Sequence, residues 1–281
     1  MLFTGEHEIA WRFSRPVFLE PHLVRLHPRQ DAAQRLESFE LRVWPEPAGR
    51  CEITDADGNQ ACWLWFEGLH ESLSVSTAFA ARTLRTNPFD YFLLQGAGRL
   101  PLELPPLERA VLAPALAPIP GAEMAASLGR ELAREVGFDT LAFLNGLNAR
   151  LYRDIAVAPR EEPGVLTPDA TLAAGCGACR DTSLVFMAAC RTVGLPARYL
   201  SCYQQGDADQ PERDLHACVE AYLPGAGWRG YDPTLGLAVA DAHLALCASP
   251  EPALTAPCAG SFRGTGAASE LSHRITLTVA A

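Results

Sequence analysis

No stretch of this chain approaches 18 consecutive apolar residues without a charge. That is about the length a helix needs to cross a bilayer, so no membrane span is expected. The first residues, Met1-Leu2-Phe3-Thr4-Gly5-Glu6-His7-Glu8-Ile9, lack a basic segment followed by an apolar one, and a secretory signal is not expected either. Lys/Arg clusters are missing as well, and the formal net charge is −10. Nucleic-acid binders usually carry a basic face, so no nucleic-acid partner is expected, and a neutral or basic partner is electrostatically easier than a polyanion. There is no internal repeat and no low-complexity tract, which removes solenoid architectures.

What is present is ordinary globular material: 281 residues, 48% apolar and 20% charged. That suffices for a sizeable core, in one large domain or two modest ones. The nine cysteines are scattered and odd in number. Such a pattern fits reduced thiols better than a disulfide scaffold, and the expected compartment is the cytoplasm.

Residues 1–85 carry strand signals. Glu8-Ile9-Ala10-Trp11-Arg12-Phe13, Leu36 to Trp44, Trp63 to Glu67 and Ser72 to Ser76 alternate polar with β-branched, aromatic or other apolar side chains, the pattern of half-buried strands. Asp55-Ala56-Asp57-Gly58-Asn59 between two runs is a hairpin turn signal. Several short strands at this spacing suggest an antiparallel β-sandwich-like domain. Residues 86–120 hold seven prolines and read as a connector with little regular structure. Helical patterns follow at 123–136 and 139–152, the latter with Leu141, Leu144, Leu147 and Leu151 on one face. A short helix is expected at 168–174, with Thr167 as N-cap, Pro168 at the first position and Gly175 as the stop.

From 180 to 192 a helix is expected, ended by Gly194 and Pro196. Strand candidates follow at 197–203, 216–223, 228–232 and 272–279, with Pro224-Gly225-Ala226-Gly227 as a turn. Residues 237–264 read as a long loop near Asp232. The division is therefore a β-rich domain (1–85), a connector (86–120) and an α+β domain (121–281).

Three pieces of the second domain carry chemistry. Gly175-Cys176-Gly177-Ala178-Cys179-Arg180-Asp181 is a Gly-rich turn running into a helix. It sets Cys179 at a helix N-terminus, where unpaired N–H groups and the dipole favour a thiolate and can hold an oxyanion. Leu215-His216-Ala217-Cys218-Val219-Glu220 opens a strand with a histidine, and Gly230-Tyr231-Asp232-Pro233-Thr234 closes the next with an aspartate. A thiol nucleophile needs a histidine partner, and that histidine needs an acceptor to fix its tautomer.

These residues, with Gly194-Leu195-Pro196-Ala197-Arg198-Tyr199 and Trp228-x-Gly230-Tyr231-Asp232-Pro233-Thr234, resemble the transglutaminase-like superfamily, and in particular bacterial transglutaminase-like cysteine proteases. Phe13-Ser14-Arg15-Pro16-Val17, Leu26-His27-Pro28-Arg29 and Asp57-Gly58-Asn59 resemble the β-rich N-terminal region that precedes the catalytic domain in those bacteria. The resemblance implies a papain-like α+β core with the cysteine on a helix and the histidine and aspartate on neighbouring strands. It implies acyl transfer from amides through a thioester, with Cys179 as nucleophile, His216 as base and then acid, and Asp232 orienting His216. No metal or organic cofactor is implied. The expected partner is a peptide or protein substrate, and an exposed sheet edge leaves pairing with a second copy open. Two positions depart from the family pattern: Cys218 stands where Trp is frequent, and Cys202 where Gly is frequent.

Other chemistries share these residues. Cys176, Cys179, His216 and Cys218 offer four N/S ligands for a zinc ion, and Cys176-x-x-Cys179 is a candidate redox pair. Within the acyl-enzyme class, amide hydrolysis is favoured over protein-glutamine acyl transfer, because water needs no dedicated second site. A non-catalytic peptide-binding module is a third class. One geometric constraint follows from the hairpin. With a four-residue loop at 224–227, Leu223 pairs with Trp228 and Asp232 faces Val219. His216 and Asp232 then fall on opposite faces of the ribbon, because the side-chain period is two. The site therefore requires a bulge or a shifted register.

Overall fold

The computed structural model describes residues 1–160, 162–207, 209 and 212–280. It is a strand-rich α/β protein. The N-terminal runs fold into β1 (Leu2–Leu19), β2 (His22–Val24), β3 (Gln34–Trp44), β4 (Gly49–Thr54), β5 (Gln60–Trp65) and β6 (His70–Thr83). They pair antiparallel in two sheets, β1 and β3 flanking β6 in one, β2 and β4 flanking β5 in the other. The buried side chains of both, Phe3, Val75 and Phe79 from one and Cys62 and Leu64 from the other, share one core. The β4–β5 turn is built as its residues dictate. Asp55 Oδ1 accepts the backbone N–H groups of Asp57 and Asn59 at 3.0 and 2.9 Å, and Gly58 takes φ +83°.

The Pro-rich connector contains two short helices, α1 (Pro106–Val111) and α2 (Ala113–Leu116). Each has proline in its first turn, where the missing N–H has no helical partner to lose. Helices α3 (Glu123–Glu135), α4 (Thr140–Asp154) and α5 (Pro168–Ala174) lie where their periodicity sets them. Asp139 and Thr167 cap α4 and α5 by accepting Ala142 and Ala170 N–H, and Gly175 ends α5 in the left-handed conformation at φ +62°. Two-residue strands β7 (Ala156–Val157) and β8 (Cys176–Gly177) pair in parallel just before α6 (Cys179–Thr192).

After α6 come β9 (Ala197–Gln204), β10 (Glu212–Arg213), β11 (His216–Leu223), β12 (Gly227–Asp232), β13 (Leu237–Ala238) and β14 (His243–Ser249). Five of these form a sheet in the order β13-β12-β11-β9-β14. Side chains of α4 and α6 cover one face, through Phe143, Val185 and Phe186 against Tyr199, Val219 and Tyr231, and α3 packs behind them. The N-terminal strands meet the sheet at its β9–β14 edge, where Tyr203, Leu244 and Leu246 join their core.

Two expectations are corrected here. Residues 237–264 are not a long loop. They contain β13, β14 and the short β15 (Cys258–Ala259), and β14 is buried along most of its length. A strand buried on both faces shows no alternation, so its sequence, His243-Leu244-Ala245-Leu246-Cys247-Ala248-Ser249, does not announce itself. Nor does the chain after residue 121 form a self-contained block. β15 pairs with β2, and β16 (Phe262–Arg263) and β17 (Ser269–Ala280) pair with β1. The last strands thus complete the N-terminal sheets. Alternation in residues 272–279 marks a strand but cannot name a partner more than 250 positions away.

The junction between the two parts is polar as well as apolar. Asn59 holds Ala248 of β14 by both its groups, accepting the N–H at 2.8 Å and donating to the carbonyl at 2.9 Å. Glu220 of β11 is buried and binds Arg198 of β9 at 2.6 Å and Arg29 of the N-terminal part at 3.0 Å. Burial alone pushes the Glu220 carboxyl up, but the two guanidinium groups outweigh it and hold it below the usual carboxylate range. Replacing Glu220 by Gln takes the carboxylate from buried Arg198 and leaves Arg29 with Asp31, and is expected to cost about 3–5 kcal/mol, measured as a lowered urea midpoint with an unchanged slope.

Candidate active site

Cys179 is the first residue of α6. The turn ahead of it is fixed by Asp181, whose fully buried carboxylate accepts Ala178 N–H at 3.1 Å and Leu166 N–H at 2.8 Å. Arg160 adds a two-point contact at 3.1 and 3.2 Å. Burial raises this carboxyl, yet Arg160 and the two N–H groups bring it below its ordinary value. Arg180 points to the same segment and donates to the carbonyls of Arg160, Glu162 and Gly164 at 2.7–2.8 Å. Asp181 is thus the helix-start residue its position suggests, and Arg180 secures the loop ahead of the helix.

His216 opens β11 and Asp232 closes β12. Their side chains meet: His216 Nε2 donates to Asp232 Oδ2 at 2.7 Å. Cys179 is near enough to this imidazole to be one of the groups that raise its pKa. With Nε2 committed to Asp232, Nδ1 is the nitrogen left for the thiol. The contact exists because the hairpin register is shifted. Leu223 pairs with Gly227 and Val219 with Tyr231, so the loop has three residues rather than four. One step further, Asp232 lies beside Cys218 and on the face that His216 occupies two residues away. Gly230 has no room for a side chain here, since a Cβ would come within 2.6 Å of Val239 Cβ.

Asp232 is wholly buried and saturated with donors. Oδ1 accepts Thr234 N–H at 2.9 Å, the Thr234 hydroxyl at 2.6 Å and Leu235 N–H at 3.2 Å. Oδ2 accepts His216 and, at 2.9 Å, Nε2 of His243 from β14. Burial would raise this carboxyl, but the two histidines hold it far below the usual range. For His216, burial favours the neutral ring. The bond to Asp232, the nearby Cys179 and Cys202 sulfurs and the Asp232 charge overcome that, and its pKa is pushed up to about 11. His243 is the member of this cluster that sequence reasoning missed. Its only mark was a single histidine in an apolar run, assigned to a loop.

The two unusual cysteines lie together beneath the histidine. Cys202 is opposite His216 across the β9–β11 ladder, and its sulfur is 3.3 Å from that of Cys218, both fully buried. Cys218 is therefore turned to Cys202 and is not grouped with the Cys-x-x-Cys pair. Among the described residues, Cys176, Cys179, His216 and Cys218 do not converge as ligands. The donors that do converge are His216, Asp232 and His243. Their N···O separations of 2.7 and 2.9 Å are hydrogen-bond lengths. Two ligands of a tetrahedral ion, each about 2.0–2.1 Å from the metal, lie about 3.3 Å apart, so this cluster is a hydrogen-bonded array.

Two family models match the chain: residues 5–82 match the bacterial transglutaminase-like N-terminal region, and residues 126–233 match the transglutaminase-like superfamily. The chain thus carries a transglutaminase-like core behind that N-terminal region. In structure it is similar to a Cytophaga hutchinsonii protein described as a putative cysteine protease, with a TM-score of 0.73 and 20% identity over 99% of this chain and 90% of the other. It is also similar, more distantly, to the periplasmic domain of TgpA from Pseudomonas aeruginosa, with a TM-score of 0.41 and 16% identity over 81% and 87% of the two chains. In sequence, an uncharacterized Mycobacterium leprae protein, ML0607, is 28% identical over 96 residues, 32% of this chain and 34% of the relative, so the match spans about a third of that relative's length. No helix among the described residues is long and apolar enough to cross a membrane.

The signs of these shifts set the pH dependence of stability. Asp232 and Asp181 sit below their unfolded values, so their contribution is complete above about pH 4 and is lost on acidification. His216 sits above its unfolded value, so its contribution is complete below about pH 6.5 and drains away as pH rises toward about 11. Urea midpoints of the wild type are expected to fall steadily from pH 7 to 10, and those of His216→Ala to fall less.

Proposed function

We propose that the chain is an amide hydrolase working through Cys179, His216 and Asp232. The observation that carries this reading is the imidazole of His216, bound to a buried, saturated carboxylate and near a thiol at a helix N-terminus. His216 is held as an imidazolium beside the sulfur, the arrangement that activates a cysteine nucleophile. The Cys179 sulfur attacks the amide carbonyl, and the developing oxyanion lies at the N-terminus of α6, where the Cys179 N–H is free of helical partners. As the tetrahedral adduct collapses, the C–N bond breaks and His216 gives its proton to the leaving amine. Water then adds to the thioester with His216 taking its proton, and the C–S bond breaks to free the acid.

The substrate class is a peptide or isopeptide-like amide, and the N-terminal sheets are read as a β-sandwich-like domain ahead of the catalytic core. Protein-glutamine acyl transfer is the related alternative, in which an amine replaces water. The cytoplasm is the proposed compartment, supported by nine cysteines that are all free thiols.

An activated ester tests the chemistry without a known substrate. With p-nitrophenyl acetate, a burst of p-nitrophenol and an acetyl group on Cys179 by intact and peptide mass spectrometry are expected. Cys179→Ala should show neither. His216→Ala and Asp232→Asn should slow acylation by on the order of a hundred- to ten-thousandfold. If an added primary amine speeds turnover and appears in the product, transfer displaces hydrolysis as the reading. A wild-type protein that gains no acetyl group on Cys179 is a binding module.

A further inference from the structure

Asp232 serves two imidazoles. His216 and His243 donate to the same oxygen, Oδ2, at 2.7 and 2.9 Å, with ring centroids 5.9 Å apart. An ionised carboxylate only accepts, so both Nε2 atoms must carry hydrogen. For a neutral His243 ring this fixes the tautomer and leaves Nδ1 bare. That atom is buried with no partner among the described residues. A buried polar atom without a partner is destabilising, and an aliphatic side chain in β14 would avoid it. The position is occupied by a histidine whose one satisfied atom is on Asp232.

We propose that His243 is a positioning residue for the Cys179–His216–Asp232 site: its N–H anchors Oδ2 and draws off part of the carboxylate charge that would otherwise fall on His216 alone. The role in turnover rests on the hydrolase reading above; the hydrogen-bond assignment does not. The groups facing the array are Cys179 from α6, Cys202 from β9, Cys218 from β11 and Asp232 from β12, and none is a competing cation. Thr234 and Leu235 still grip Oδ1 when His243 is removed. The carboxylate then stays in place, but its Oδ2 charge is undivided. The His216–Asp232 bond tightens, and the imidazolium surrenders its proton to a leaving amine less readily.

Protein labelled with nitrogen-15 in histidine tests this by NMR. In the wild type, His243 should appear with hydrogen on Nε2 and a bare Nδ1, and two imidazole N–H signals should lie far downfield of the amides. His243→Phe should lose one signal and move that of His216 further downfield. His243→Gln, whose amide N–H can reach the same oxygen, should return it most of the way. A wild-type His243 with no hydrogen on Nε2 would overturn the proposal, and this arm needs no variant to fold. A His216 signal that stays in place in both variants would also overturn it and reduce His243 to a core residue. The rate of Cys179 acetylation by p-nitrophenyl acetate, read on the wild-type sample, judges the hydrolase reading separately.

Discussion

The buried charge of Asp232 is the constraint around which this part of the chain is organised. A carboxylate out of water is costly unless every lone pair is met. Here five donors meet it, three from the residues that directly follow in the chain and two from histidines on β11 and β14. The Asp-Pro-Thr sequence supplies the local half of that shell. The other half demands that β11, β12 and β14 be held in register on one sheet. The shifted hairpin, the glycine under Val239 and the His243–Gln204 end of the β14–β9 ladder are the parts of the fold that meet this demand.

That view also gives the N-terminal strands a share in the site. β14 joins the sheet on the side where the N-terminal core packs, and Asn59 binds its Ala248 by both the N–H and the carbonyl. Arg29 reaches across to Glu220, on the same strand as His216. The C-terminal strand β17 lies along β1 for twelve paired positions, Leu2 opposite Ala280 through Phe13 opposite Ser269. The chain that leaves the site therefore ends in the sheets that support it. The two parts are one construction with a shared polar seam.

Much of this was legible in the residues, and the limits follow a physical line. Local features were readable: the Thr167–Pro168–Gly175 helix frame, the Asp55-to-Asn59 turn, Cys179 at a helix start, and the His216 and Asp232 motifs that meet in a hydrogen bond. Parity alone required the hairpin to depart from a four-residue loop. What could not be read was anything set by distant pairing. β14 has no alternation because both its faces are covered, so its histidine passed for loop. β17 alternates plainly, but its partner at the opposite end of the chain leaves no trace in sequence. Cys202 and Cys218 stood out as substitutions, and only the β9–β11 register reveals that they replace a family Gly and Trp by a pair that packs on itself.

The central claim is that His216 activates Cys179, and the most direct measurement is the alkylation rate of each cysteine against pH, mapped by mass spectrometry in wild type and His216→Ala. Cys51, the exposed thiol, is the internal reference. The account requires Cys179 to react much faster than Cys51 at pH 6, well under the ordinary thiol value of about 8.5, and to fall to the reference rate in the variant. Equal rates for Cys179 and Cys51 at pH 6 in the wild type, or a fast Cys179 that ignores the loss of His216, would contradict it.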